Sequence, residues 1–224
     1  MKKVKFLFHL HTKYSSDGSL TPQGIVDYCR RNKIDVVAIT DHNEIAGARE
    51  TAKLANGDPL VIIGEEIKTD CGEIIGLFLT KKIAKYTPIK KAINAIKVQG
   101  GIVVLPHPSD NIRRSTIKSK TVSDIIKEVD AVETLNSRSL IWSANKQAGN
   151  LAAKHKKPVL AGADAHLSFE LNKAINILPD FNDGQSFLRA LKKNQLLSKR
   201  SGILLQSISI FVRLMRKFAL RKKK

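Results

Sequence analysis

Apolar positions in this chain come mostly in short unbroken runs, not in strict alternation. VVAIT (36–40), GIVVLP (101–106) and PVLAG (158–162) are examples. Strands covered on both faces read this way, as in a parallel sheet or barrel. The runs predict strands at 4–9, 35–40, 60–64, 73–79, 102–106, 130–135, 158–163 and 174–178. Between them, apolar residues at helical spacing predict helices at 22–32, 44–55, 88–99, 121–128, 140–155 and 184–193. Thr21 before Pro22 forms a helix start, a capping hydroxyl followed by proline at the first helical position. Gly100-Gly101 supplies the stop before the fifth of these strands. Strand and helix alternate over roughly 180 residues, no GxGxxG turn is present, and polar residues close many strands. A (β/α) barrel accounts for this better than an open doubly wound sheet.

The pattern changes near the C-terminus. Leu204, Ile208, Phe211, Met215 and Phe218 recur at spacings of four and three, with Arg213, Arg216 and Lys217 on the other side. This predicts a basic amphipathic helix ending in RKKK. Its uncharged stretch, Ser201 to Val212, is too short to span a bilayer. The chain therefore divides into a barrel over 1–195 and a basic helical tail over 196–224. Such a tail can dock on its own barrel, pair with another subunit, or lie on an anionic membrane surface.

Charge sharpens that division. Of the net +19, twelve positive charges lie in Arg189–Lys224, which holds no acid, so residues 1–188 carry +7. A basic balance points to anionic partners: a phosphorylated small molecule or nucleotide, nucleic acid, or an acidic membrane. Aromatic residues make up only 5% of the chain and are not interleaved with the basic run. The sequence thus offers no base-stacking platform. Two cysteines, Cys29 and Cys71, cannot form a disulfide framework, which fits a reducing, cytoplasmic setting with the tail reaching the membrane periphery. The opening MKKVKFLFHLH has too short an apolar stretch for a signal peptide, contains two histidines and leads to no small-residue cleavage site, so it is assigned to the first strand.

Candidate chemistry sits at the ends of the predicted strands. His9 and His11 follow VKFLF, Asp41-His42 follows VVAIT, His107 follows GIVVLP, and Asp164 and His166 follow PVLAG. VIIGEE ends in Glu65 and Glu66, of which only one can face the same site. Residues two apart on a strand share a face, so His9 with His11, and Asp164 with His166, can each grip one ion. Asp17, in the loop SSDG, lies within reach of the barrel mouth. Mixed nitrogen and oxygen donors suit Zn, Mn or Fe, with Mg admissible. His155, in the run KHKK, has no such setting and is assigned to the surface.

The ordered set HLHTKYSSDGSLTP, ITDHNEIAG, IIGEEI, LPHPSD, AVETLNSR and GADAH resembles the motifs of the PHP family, named for polymerase and histidinol phosphatase. The wording is similar to that of its small stand-alone metal-dependent phosphoesterases, over roughly residues 4–178. The resemblance implies a distorted (β/α)7 TIM-like barrel holding two or three divalent metal ions and hydrolysing phosphate esters. By that resemblance His9, His11, Glu66 and Asp164 hold one metal. Glu66 bridges to a second held by His107, and Asp17, His42 and His166 hold a third. Many members carry a histidine in the strand after the bridging glutamate, but GEIIGLFL has Ile75 there. The second site is then completed by water or by Glu73, or is empty. Asp41 is expected to orient a ligand. Arg138, Arg113, Arg114 and Lys13 are the cations available to a phosphoryl group, and Arg138 is preferred as the clamp. A cation on such a site lowers the pKa of water from 15.7 to about 7, which makes hydrolysis accessible at neutral pH. Two other functions fit less of the pattern. One is a vestigial barrel that binds an anion, membrane or nucleic acid. The other is a metal hydrolase of C–N bonds, for which no bridging lysine is identifiable.

Overall fold

The computed structural model describes residues 2–110, 112–113, 115–139 and 142–198. Arg114 and the tail from 199 onward, including Leu204, Ile208, Phe211, Met215 and Phe218, lie outside the described residues.

The chain runs β1 (Lys3–Leu7), α1 (Pro22–Asn32), β2 (Val36–Ile39), α2 (Ala46–Ala55), β3 (Leu60–Lys68), β4 (Glu73–Leu77), α3 (Ile89–Val98), β5 (Ile102–Leu105), α4 (Ser119–Ile125), β6 (Ala131–Asn136), α5 (Trp142–Lys154), β7 (Val159–Gly162), β8 (Ala174–Pro179), α6 (Gly184–Leu191) and β9 (Gln195–Ser198). The expected caps are in place. Thr21 accepts a hydrogen bond from Gly24 N at 3.1 Å at the start of α1, and Gly100 follows α3 with φ +72°. The apolar pattern predicts no strand at 195–198, yet β9 pairs there with β8.

Among the described residues the strands form one sheet in the order β7-β6-β5-β4-β3-β2-β1-β8-β9. The β1–β2, β2–β3, β5–β6 and β6–β7 pairs are parallel. Two stretches depart from strand–helix alternation: β7 runs on to β8 with no α-helix between, and β3 and β4 join directly as a hairpin, β4 being antiparallel to both β3 and β5. The sheet curls until β7 meets the continuation of β1. Ala163 N donates to Phe8 O at 2.9 Å, Ala165 N to His9 O at 3.1 Å, and His11 N to Ala165 O at 2.8 Å. These bonds close the C-terminal half of the seam. In the other half β8 lies against β1, and a buried side chain completes the closure. Asn176 accepts from Ala161 N at 2.9 Å and donates to Ala161 O at 2.9 Å, imitating the strand that β7 lacks there.

The barrel interior is aliphatic and aromatic: Phe6, Phe8, Ala38, Ile75, Leu77, Val104 and Leu160 pack in one cluster. Helices cover the outside through two further clusters, one of them placing Ile93 and Ile96 of α3 with Val103 and Ile74. The interior is thus filled, which leaves the mouth at the C-terminal ends of the parallel strands as the place for a site.

Candidate metal centre

Polar groups collect at the ends of the parallel strands. His9, His11, Glu66, His107, Asp164, His166 and Asp17 are all buried at the mouth, and His42 is half-buried beside them. The strand ends do not reach this arrangement by simple alternation. His9 (φ 68°), His107 (φ 30°) and Asp164 (φ 49°) all adopt left-handed backbone. For residues other than glycine this costs of order 1–3 kcal/mol each and persists only where surrounding contacts impose it. Despite the bend at His9, His9 and His11 converge on the same carboxylates.

Glu66 is the hub. Its Oε2 lies 3.4 Å from His9 Nε2, 3.3 Å from His11 Nε2 and 3.1 Å from His42 Nδ1, while Oε1 lies 3.1 Å from His107 Nε2. Asp164 Oδ1 lies 3.9 Å from His9 Nε2 and 3.5 Å from His11 Nε2. Asp17 Oδ1 lies 3.6 Å from both His42 Nε2 and His166 Nε2. Donor atoms group as His9–His11–Asp164, His9–Glu66–His107 and His11–His42–His166, each within 4.8 Å.

Two of these atoms, His9 Nε2 and His11 Nε2, are fully buried and have no hydrogen-bond partner among the described residues. An unsatisfied buried nitrogen is costly. Nitrogen and oxygen ligands about 2.0–2.2 Å from one tetrahedral ion lie about 3.3–3.6 Å from each other, close to most of the separations seen here. The donor set therefore fits divalent cations bound between the imidazoles and the carboxylates.

Electrostatics agree. Burial opposes charge on Glu66 and Asp164, yet His9 and His42 hold Glu66, and Arg113 and His9 hold Asp164, well below the usual carboxylate range. Burial likewise opposes protonation of His9, but Glu133, Glu66 and Asp164 raise its pKa, so without a cation it tends to hold a second proton that metal binding would displace from Nε2. His11 is pushed down by burial and by His166 and His42, so its neutral, ligating form is favoured.

The surrounding residues orient these donors. His9 Nδ1 lies 2.8 Å from Glu133 Oε1; with the proton there, the Nε2 lone pair faces the cluster. Glu133 Oε2 also accepts from His107 N at 2.8 Å and Asn136 Nδ2 at 3.1 Å. Gly162 makes room for it, since a Cβ there would fall 1.5 Å from Glu133 Oε1. Glu133 is absent from the sequence-derived set although it lies inside AVETLNSR. An acid in the middle of a buried strand is the signal that could have found it.

Asp41 accepts from Thr12 N at 2.6 Å, Thr12 Oγ1 at 2.7 Å and Ser15 Oγ at 2.8 Å. Ser15 Oγ in turn lies 3.3 Å from His11 Nδ1 and accepts from His42 N at 2.9 Å. Asp41 thus acts on the ligands through the 12–15 loop.

The cations expected near a phosphoryl group differ in their settings. Arg138 is buried behind the site, its guanidinium 2.8 Å from His166 Nδ1, 3.8 Å from Asp164 Oδ1 and 3.4 Å from Glu170 Oε1. Packing has turned it inward. Lys13 is also displaced: its exposed ammonium lies 3.4 Å from Glu50 and over the Tyr14 ring. Arg113 is the less buried guanidinium at the cluster, donating to Asp164 Oδ2, to Asp110 Oδ2 at 3.0 Å and to Asn136 Oδ1 at 3.2 Å. Glu65 points to the opposite face from Glu66 and accepts from Ile83 N at 2.9 Å. His155 sits past the far end of α5, as expected of a residue outside the site.

Comparison with known proteins follows the same lines. The family profile described as PHP domain matches residues 8–162, and a second, described as PHP-associated, matches 142–196. An uncharacterized protein of Methanocaldococcus jannaschii is 34% identical over 214 residues, covering 90% of this chain and 85% of that protein. A two-domain protein of Bacteroides vulgatus, described as containing a predicted PHP-like metal-dependent phosphoesterase, superposes with a TM-score of 0.72 at 17% identity over 88% of this chain. The chain spans 65% of that protein's length. An amidohydrolase of Chromobacterium violaceum, solved with sulfate and no metal, superposes with a TM-score of 0.62 at 15% identity, covering 86% of this chain and 97% of that one. At these identities the two structures share the fold alone.

Proposed function

Because the chain belongs to the PHP domain family, we propose that it hydrolyses phosphate esters at a centre of two or three divalent cations, with a small phosphomonoester, a nucleotide or a short oligonucleotide as substrate. One observation carries this. Two fully buried imidazole nitrogens, without hydrogen-bond partners among the described residues, face carboxylate oxygens at separations that suit a shared cation.

In this proposal His9, His11, Glu66 and Asp164 hold one ion, Glu66 and His107 a second, and Asp17, His42 and His166 a third. Mn, Zn or Fe suits the mixed donors best. Bound there, the cations supply acidified water and polarise phosphoryl oxygens. The chain's own residues prepare the rest. Glu133 keeps the proton of His9 on Nδ1, and Ser15, held by Asp41, fixes the ring of His11. Arg113, the less buried of the two guanidinium groups, serves the non-reacting phosphoryl oxygens in preference to Arg138. Walls of buried aliphatic side chains below the ligands keep bulk water to the mouth side.

The test is a panel of phosphomonoesters, phosphodiesters and nucleotides offered to metal-stripped protein refilled with Mn, Zn, Fe or Mg. Phosphate release that depends on the metal is expected. Amide and lactam substrates belong in the same panel, because the fold is shared with an amidohydrolase. Their turnover without phosphoester hydrolysis would replace this reading, and metal binding without any turnover would point to a vestigial binding module. The basic tail is assigned a separate role, contact with an anionic membrane or nucleic acid. Unchanged liposome and oligonucleotide binding after removal of 199–224 would dismiss it. Among the described residues no helix is long and apolar enough to cross a membrane.

A further inference from the structure

The second cation position has only Glu66 and His107 from the sequence-derived set, and Ile75 stands where a histidine is expected. The hairpin resolves what Ile75 does. It pairs in register with Glu66 on β3 and is fully buried in the aliphatic barrel interior with Phe8, Leu77 and Val104. It is therefore a core residue below the site.

Because β4 runs antiparallel to its neighbours, its N-terminal end, and not its C-terminal end, lies at the mouth. The residue there is Glu73, paired with Lys68 at the end of β3. Two residues from Ile75, it shares the inward face with Ile75 and Glu66 but sits one step closer to the mouth. Its carboxylate is nearly buried, with Oε1 3.9 Å from His42 Nδ1, whose ring touches Glu66 Oε2. Its backbone is pinned by the loop that follows His107, through Glu73 N donating to Ser115 O at 2.9 Å. Its charge interacts with Glu66, His42 and His107 together. Two buried carboxylates, Glu66 and Glu73, thus converge on one imidazole nitrogen, His42 Nδ1, at 3.1 Å and 3.9 Å, an arrangement that a divalent ion stabilises.

We propose that Glu73 is a carboxylate ligand of the second cation, completing the position held by Glu66 and His107. This inference rests on the proposed metal centre. It makes that position richer in oxygen than a histidine-completed one, and so more hospitable to Mn than a nitrogen-rich site.

The test uses the full chain, stripped of metal, refilled with Mn(II) and desalted. Metal per chain is measured by elemental analysis and coupling between neighbouring ions by electron paramagnetic resonance. Wild type is expected to show spin-coupled Mn, as for ions about 3.5–4 Å apart. Glu73→Gln and Glu73→Ala are each expected to hold one Mn fewer and to lose the coupled signal, while Glu73→His recovers both. Glu65→Gln, altering the neighbouring acid that faces away, is expected to match wild type. Wild-type stoichiometry and coupling in Glu73→Gln or Glu73→Ala would overturn the assignment. So would a folded Glu73→His that lacks the ion. A wild-type chain that takes up no metal would overturn the metal centre as a whole and Glu73 with it. That pattern is distinct from a loss confined to the Glu73 variants.

Discussion

Glu133 shows how much a single residue outside the ligand set controls. Its carboxylate fixes the tautomer of His9 and the backbone of His107 at once. Glu133→Gln keeps the shape but removes the charge that holds the His9 proton on Nδ1. We expect metal affinity to fall about 10–100-fold, as for other residues that orient metal-bound histidines, read by competition with a chromophoric chelator. Unchanged affinity would mean that His9 is oriented by packing alone. Glu65 offers a contrasting case. Burial raises its pKa from 4.5 to about 7. The native chain keeps this proton between those values while the unfolded chain has lost it, so native stability falls as pH rises from about 4.5 to 7. Glu65→Gln removes that penalty. Relative to wild type, it is expected to be more stable at pH 8 than at pH 5, with a ceiling of about 3 kcal/mol, in urea melts of the metal-free protein.

At the scale of elements, the seam between β1 and β7 is where the barrel is most dependent on side chains. Asn176 on β8 satisfies both backbone groups of Ala161, donates to Phe6 O at 3.3 Å, and accepts from Asn194 at 2.8 Å. Asn176→Leu leaves a buried donor and acceptor on β7 unpaired. A loss of roughly 2–5 kcal/mol is expected from chemical denaturation, together with faster hydrogen exchange at the Ala161 amide. A loss below about 1 kcal/mol would show that β7 finds other partners. The β3–β4 hairpin matters for function instead. Inverting one strand brings an N-terminal residue to a rim otherwise built from C-terminal ends.

On the scale of the whole molecule, the centre concentrates Glu66, Glu73, Glu133 and Asp164 with His9, His11, His42, His107 and His166 in one buried region. Cations that bind only the folded chain add stability by mass action, about 4 kcal/mol at a free concentration 1,000 times the dissociation constant. Chelation is therefore expected to lower Tm by several degrees, with recovery on adding Mn or Zn. An identical Tm with and without chelator would contradict a metal site built into the fold.

The linear chain was enough to give the rhythm of the barrel and the set of candidate ligands. Unbroken apolar runs state which strands are buried on both faces, and the chemistry of a ligand is a property of its own side chain. His9, His11, Asp17, His42, Glu66, His107, Asp164 and His166 could therefore be named without knowing how they meet. The tertiary structure decided everything that depends on contact. Glu133 lies 124 positions from His9, so its partnership exists only after β6 and β1 face across the barrel. Arg138 is turned inward by Asp164, His166 and Glu170, which no local pattern encodes. The direction of β4 depends on a hairpin between two runs that read alike in either orientation, because period-two projection is the same forward and backward. That direction carries Glu73 to the mouth, with Ile75 packed below it.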